Sequence, residues 1–172
     1  MARKKISLRE FQESLVQRLT SARAGETSRA LLGVQAGRDF WLLDLGDSGE
    51  IVPLPPLTGV PLTKTWFCGL ANIRGTLCSV VDFSAFQGGE VTPQNADSRL
   101  LIVGGRFGIN SALLVNRTLG LRNIEQMAPR AAEADSRPWV GEQYADPQGN
   151  AWKRLNLRNL LGQPDFLEIG LS

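Results

Sequence analysis

Residue types that could carry out acid–base or nucleophilic chemistry are scarce and poorly grouped in this 172-residue chain. Histidine is absent, which excludes Ser-His-Asp and Cys-His catalysis, a phosphoaccepting histidine and nearly all transition-metal sites. Asp82 has other carboxylates only at a distance in sequence, at Asp39 and Asp44, so no catalytic carboxylate pair is indicated. The few lysines neighbour no plausible nucleophile in a defined motif, which also disfavours a Ser-Lys enzyme.

The cysteines and glycines do not indicate catalysis either. Cys68 and Cys78 are too few for a disulfide framework, and without histidine they do not make a metal site. We predict that both are small buried hydrophobes in a reduced, cytoplasmic protein. Gly104-Gly105 lies in a GGRFG segment that lacks the spacing of a phosphate-binding loop and precedes no predicted helix. The sequence therefore predicts a protein without a cofactor that is not an enzyme.

Arg74 is a charged residue between two predicted apolar strands. The segment Trp66–Phe86 predicts two half-buried strands, Leu70–Ile73 and Thr76–Phe83, joined at Arg74-Gly75. Glycine at the second position can take the positive φ that a tight reversal needs. A guanidinium at such a tip points to solvent or meets a partner, because burying it unpaired is very costly. The residues alone leave both interpretations open.

The elements that must position this hairpin are mainly short strands. Gly, Asp and Pro separate them, which is typical of an all-β barrel or sandwich. The remaining predicted strands are Ala30–Ala36, Phe40–Leu45, Glu50–Val52, Arg99–Gly104, Ile109–Asn116, Leu119–Leu121, Trp139–Tyr144, Ala151–Leu157 and Phe166–Leu171. A short helix, Leu157–Leu161, is predicted with Asn156 as its N-cap. Core residues are predicted at Leu77, Val80, Val81, Phe83 and the four tryptophans Trp41, Trp66, Trp139 and Trp152.

An N-terminal arm precedes the strands. Residues 6–23 place apolar side chains on one helical face, and Ser7 followed by Glu10 fits a capping box. The apolar positions are Leu8, Phe11, Leu15, Val16 and Leu19. We therefore predict a helical arm over residues 1–27 and a β domain over residues 28–172. The arm either packs on its own domain or binds a partner, and the pattern does not decide between them.

Charge and hydropathy limit the possible partners. A net charge of +2 with dispersed basic residues does not favour binding to nucleic acid or to a membrane surface. No run of apolar residues is long enough for a spanning helix. The alternative function, a small β-barrel that binds nucleic acid, is disfavoured because aromatic residues are not interleaved with Lys or Arg on a strand.

Three segments together resemble the CheW family of chemotaxis coupling proteins. The segment GLANIRGTLCSVVDF is similar to the family's glycine–asparagine–arginine–glycine pattern followed by an apolar strand. Its matching positions are Gly69, Asn72, Arg74, Gly75, Val81 and Asp82. ALLVNRTLGLRNIEQM and WKRLNLRNLLG resemble two later family segments in the same order. The resemblance covers residues 30 to 162.

The resemblance implies both an architecture and a role. It implies two small SH3-like five-stranded barrels packed together. It also implies a non-catalytic adaptor that links the cytoplasmic tip of a methyl-accepting chemoreceptor to the regulatory domain of a CheA-like histidine kinase. Such a protein is cytoplasmic at receptor arrays on the inner face of the membrane, which it reaches only through the receptor. Within the family, the chain is most similar to members that serve type IV pilus twitching motility.

The same resemblance implies the binding residues. Arg74, with Asn72 and Gly75, lies on the surface used by the receptor, and Glu50 could orient the guanidinium. Val115, Asn116 and Leu119 lie along a groove between the two lobes, and we expect them to bind the receptor or the kinase. The chain departs from the family pattern here, because Asn116-Arg117 replaces the usual acidic residue.

Overall fold

The structure is a computed structural model that describes residue 12, residues 30–131 and residues 135–171. In these residues the strands are β1 (Ala30–Ala36), β2 (Asp39–Leu43), β3 (Ser48–Pro53), β4 (Phe67–Ile73), β5 (Thr76–Asp82), β6 (Arg99–Val103), β7 (Ser111–Val115), β8 (Arg117–Asn123), β9 (Ala128–Arg130), β10 (Val140–Ala145) and β11 (Ala151–Leu155). The short helices are α1 (Phe83–Phe86), α2 (Leu157–Leu161) and α3 (Pro164–Leu167), with 3-10 turns at Gly105–Phe107 and Ile124–Gln126. The predicted helix over residues 6–23 lies outside the described residues, apart from residue 12.

The described strands form two sheets. One sheet has six strands in the order β8-β1-β2-β11-β10-β9, and the other has five in the order β3-β6-β7-β5-β4. The chain begins in the six-stranded sheet, builds the whole five-stranded sheet from β3 to β7, and returns at β8. The pairs β2–β11 and β5–β7 are parallel, whereas the other paired strands are antiparallel. The prediction of a mainly β architecture is confirmed as two sheets, one of which has six strands where five were expected.

The edges of each sheet come close to one another. In the five-stranded sheet, Thr58 after β3 bridges Leu70 of β4 through two N–H···O bonds of 2.8 Å. In the six-stranded sheet, the edge strands β8 and β9 follow one another along the chain, separated by the 3-10 turn at Ile124–Gln126. The described strands nevertheless do not close either sheet by a continuous hydrogen-bonded ladder.

The two sheets share a hydrophobic core. Its main cluster joins Trp41 of the six-stranded sheet to Phe83, which directly follows β5 of the five-stranded sheet, with ring centroids 5.0 Å apart. All four tryptophans are buried, as predicted, and so are Val80 and Val81. Leu77 is 59% exposed instead. It lies opposite Asn72 near the hairpin tip. Leu77 is on the same face of β5 as the buried Val81, so its exposure follows from its place at the tip and not from the face it occupies.

The C-terminal prediction is wrong in part. Helix α2 is capped as expected, since Asn159 donates its backbone N–H to Asn156 Oδ1 at 3.0 Å. The predicted strand Phe166–Leu171 is instead helix α3, followed by a single bridge from Thr63 to Gly170. Pro164 starts α3 because its fixed φ and missing N–H suit the first helical position.

The structure differs from the prediction at two further places, Phe83 and β9. The predicted strand end at Phe83 begins α1, because Asp82 accepts a hydrogen bond from the backbone N–H of Ala85 and caps the helix. Strand β9 was not among the predicted strands; it lies at an edge of the six-stranded sheet, where Pro129 is tolerated. In the part of the chain that the structure describes, no helix is long and apolar enough to cross a bilayer.

Candidate functional site

The β4–β5 hairpin presents Arg74 at its tip in a constrained backbone conformation. Ile73 pairs with Thr76, so Arg74 and Gly75 form a two-residue reversal. Both residues have positive φ, +52° and +82° respectively, which is the combination that a type I′ turn requires. Asn72 Oδ1 accepts a hydrogen bond from the Gly75 backbone N–H at 2.9 Å. A side-chain-bearing residue adopts this conformation at a cost, so the turn holds Arg74 outward at some expense of stability.

Arg74 forms an ion pair across the sheet with Glu50 of β3. The distance from Arg74 Nη2 to Glu50 Oε1 is 2.6 Å, and the two side chains are 78% and 32% exposed. Such an exposed pair contributes little to the free energy of unfolding. Its main consequence is to set the direction of a guanidinium that remains largely accessible.

A groove of about 220 Å³ lies beside this ion pair. Its apolar lining comes from Ile73, Cys78, Ile102, Val103 and Ile109, and its polar lining from Glu50, Arg74, Thr76, Asn110 and Ser111. The isoleucines are half-buried, so they retain apolar surface that a partner could cover. An apolar groove with a charged pair at its rim can accept an amphipathic helix that carries a carboxylate.

The other predicted binding residues lie at the crossing from β7 to β8. Asn116 Oδ1 accepts the Gly37 backbone N–H at 2.8 Å, and the Asn116 backbone N–H donates to the carbonyl of Gln35 at 2.9 Å. Asn116 therefore fastens the chain where it passes from one sheet to the other. Val115 is completely buried, so in this conformation it supports the surface from beneath. Leu119 is half-buried against a cluster that includes Trp152.

The predicted residues thus form two groups. Glu50, Asn72, Arg74 and Gly75 meet at one hairpin and its facing strand. Val115, Asn116 and Leu119 follow one another along the β7–β8 crossing. Asn116 has a structural role that an aspartate could share, because its contact to Gly37 uses only the side-chain oxygen.

A polar cluster around Arg137 was not predicted. Arg137 donates to both carboxylate oxygens of Asp135, from Nε at 2.9 Å and from Nη2 at 2.7 Å, and from Nη1 to Gln87 Oε1 at 2.7 Å. Trp139 Nε1 donates to the same Gln87 oxygen at 3.0 Å. These hydrogen bonds from Arg137 lower the pKa of Asp135 to about 2 and raise the pKa of Arg137. The close spacing of Asp135 and Arg137 in the sequence was the only local pattern that could have indicated this cluster. No local pattern indicates the contact between Arg137 and Gln87.

Asp82 has a structural role. It is buried, and it accepts hydrogen bonds from the backbone N–H of Thr92 at 2.7 Å and from the Thr92 hydroxyl at 2.6 Å. Burial and the nearby Asp82 charge raise the pKa of the Cys68 thiol to about 11, which keeps it protonated and poorly nucleophilic. Among the described residues, no group of three or more His, Cys, Asp or Glu side chains could hold a metal ion.

Comparison with known proteins agrees with this arrangement. The sequence model of the CheW-like domain matches residues 30–164. The chain belongs to the CheW-like domain family. It is 30% identical over 146 residues to Protein PilI of Pseudomonas aeruginosa, covering 81% of this chain and 79% of that protein. The family resemblance of the three sequence segments is therefore confirmed.

A solved structure shows the same fold. The scaffolding protein TtCheW from Thermoanaerobacter tengcongensis superposes with a TM-score of 0.66 at 20% sequence identity. The match covers 80% of this chain and 90% of that one. The two-sheet architecture is thus a CheW-like fold.

Proposed function

We propose that this CheW-like protein is a non-catalytic adaptor, which couples the cytoplasmic tip of a methyl-accepting chemoreceptor to the regulatory domain of a CheA-like histidine kinase. The observation that carries the proposal is the Arg74–Glu50 pair at 2.6 Å beside the apolar groove. The 30% identical relative PilI supports a role in the chemosensory control of type IV pilus twitching motility, at receptor arrays on the inner face of the membrane.

The receptor surface is the β4–β5 hairpin. A receptor tip is a helical hairpin whose surface carries carboxylates, and a guanidinium can bind a carboxylate through two parallel hydrogen bonds. Apolar residues of the same helix would cover the half-buried isoleucines of the groove. Glu50 keeps Arg74 in place before binding and so reduces the conformational entropy lost on association.

The kinase surface is proposed on the β7–β8 crossing. Asn116 joins the two sheets there, and Leu119 retains part of its apolar surface. Residues 28–172 act as one domain of two SH3-like lobes in this proposal. The close approach of the sheet edges at Thr58 and Leu70 supports a barrel-like lobe, since few additional hydrogen bonds would be needed for closure.

The receptor assignment is tested by Arg74→Glu. Reversing this charge places a carboxylate opposite the receptor's carboxylates, so we expect co-sedimentation with receptor-containing membranes to weaken by more than about tenfold. The melting temperature should barely move, because the ion pair is exposed.

Arg38→Glu is the matched control. Arg38 is also exposed and pairs with a glutamate, Glu90, at 3.6 Å, but it lies away from the groove lining. Its substitution should leave receptor binding unchanged. Normal receptor binding by a folded Arg74→Glu protein would overturn the assignment of this surface.

A further inference from the structure

A second groove of about 220 Å³ lies at the outer edge of the six-stranded sheet. It is lined by residues of β8, of the following 3-10 turn and of the β10–β11 turn, including Leu121, Asn123, Gln126, Met127, Asp146 and Gln148. Leu121 is 64% exposed. An exposed leucine on an edge strand beside a concavity is a surface that another apolar group can cover.

The apolar part of this groove is continuous with the protein core. Met127 is partly buried and packs against the cluster formed by Leu31, Leu42, Tyr144 and Trp152. A side chain that covered Leu121 and Met127 would therefore extend an existing core. Such an extension is more favourable than an isolated surface contact, because one side of it is already packed and dry.

The N-terminal arm enters the domain beside this groove. Ala30, the first residue of β1, pairs with Asn123 of β8, and Asn123 itself lines the groove. Residues 24–29 span at most about 20 Å when fully extended. A helix ending near residue 23 is thus tethered within reach of Leu121, at a high effective concentration.

Charge also favours contact between the arm and the domain. Residues 1–29 contain seven Lys or Arg and three Asp or Glu. Residues 30–172 contain 12 Lys or Arg and 14 Asp or Glu. The arm carries a net +4 and the rest of the chain a net −2. The groove itself is lined by one charge of each sign, Asp146 and Arg122, so the net attraction comes from the domain as a whole. Hydrogen bonds from Trp152, Asn150 and Gln148 lower the pKa of Asp146 to about 2. Its carboxylate is therefore charged at neutral pH.

We propose that the amphipathic helix over residues 6–23 docks in cis on this groove and places its apolar face against Leu121 and Met127. Phe11, Leu15 and Leu19 share that face. The short tether favours the arm of the same chain over a second copy. The abundance of basic residues in the arm matches the net negative charge of the domain.

Limited trypsin digestion of the full-length protein tests this docking. The arm offers cleavage sites after Arg18 and Arg23, and their cleavage rate follows the undocked population when opening is fast. Leu121→Gln removes the exposed apolar contact, so cleavage after these arginines should accelerate by about tenfold. Phe11→Ser should have a similar effect, and combining it with Leu121→Gln should add little more.

Leu62→Gln is the matched control, because Leu62 is 78% exposed and lies outside the groove lining. It should leave the cleavage rate and the melting temperature unchanged. Leu121→Gln and Phe11→Ser should lower the melting temperature slightly, because a docked arm stabilises the folded domain, while their far-UV circular dichroism should stay that of the wild type. Equal cleavage of the wild type and Leu121→Gln would overturn the proposal. The proposal would also be overturned if Leu62→Gln accelerated cleavage as much as Leu121→Gln. Protection that increases with protein concentration would assign the groove to a second copy and also overturn docking in cis.

Discussion

At the scale of single residues, polar side chains in this protein mainly hold segments in place. Asn72 fixes the hairpin turn, Asn116 fastens the sheet crossing, and Asp82 anchors the backbone at Thr92. The Asp135–Arg137 pair differs because its formation changes a pKa strongly. The contribution of this pair can therefore be measured from how the melting temperature changes as the pH is lowered.

Asp135→Asn should destabilise the protein in a pH-dependent manner. The folded-state pKa of Asp135 is about 2, compared with 3.8 for the ordinary group, so its stabilisation is complete above pH 3.8 and is lost as pH falls towards 2. We expect a loss of about 1–2 kcal/mol at pH 7, since the hydrogen bonds involve charged groups. The melting temperatures of wild type and variant should converge near pH 2.

The control for this titration is Asp97→Asn, which alters an exposed carboxylate in a turn. Its melting temperature should follow that of the wild type from pH 2 to 7. A constant difference in melting temperature between Asp135→Asn and the wild type across the same pH range would show that the carboxylate charge does not cause the destabilisation.

At the scale of elements, the β4–β5 hairpin shows how turn chemistry determines where a side chain points. Its two turn residues need positive φ, and glycine meets that need without a steric penalty. A Cβ added at Gly75 would meet nothing within 4 Å. Any cost of adding a methyl group there therefore comes from the backbone and not from a clash.

Gly75→Ala should lower the free energy of unfolding by about 1 kcal/mol, measured by urea denaturation. Gly105→Ala provides the comparison, because a Cβ there also finds open space but φ lies outside the left-handed region. That variant should unfold like the wild type. If both substitutions had the same effect, the turn strain at Gly75 would not be the cause.

At the scale of the whole molecule, the two sheets are joined through few polar contacts and one large apolar cluster. Gln87, which ends α1, accepts hydrogen bonds from Arg137 and Trp139 of the segment leading into β10. Arg137 also contacts Asp39 of β2 at 3.3 Å. Gln87 thus connects the segment between β5 and β6 of the five-stranded sheet to the six-stranded sheet.

Gln87→Ala should destabilise the protein by about 1–3 kcal/mol, because it leaves the donors of Arg137 and the buried Trp139 without this acceptor. We expect the melting temperature to fall by about 2–12 °C as a single transition. Gln163→Ala, which removes only an exposed hydrogen bond to the Asn159 carbonyl, should shift it far less. Equal shifts in melting temperature for the two variants would show that the hydrogen bonds of Gln87 contribute no more to stability than an exposed one.

Local sequence patterns were enough to predict every described strand except β9, the reversal at Arg74-Gly75, the cap at Asn156 and membership of the CheW-like family. These depend on side-chain periodicity, turn chemistry and motif spacing, which act over a few residues. The sequence also predicted Glu50 as a partner of Arg74, through the family resemblance.

The tertiary structure decided which apolar and polar groups meet. Leu77 is exposed although its strand is apolar, and α3 replaces a predicted strand. The contact between Arg137 and Asp39 joins residues 98 positions apart. No local pattern encodes such a pair, because its free energy depends on how the two sheets pack together and exclude water.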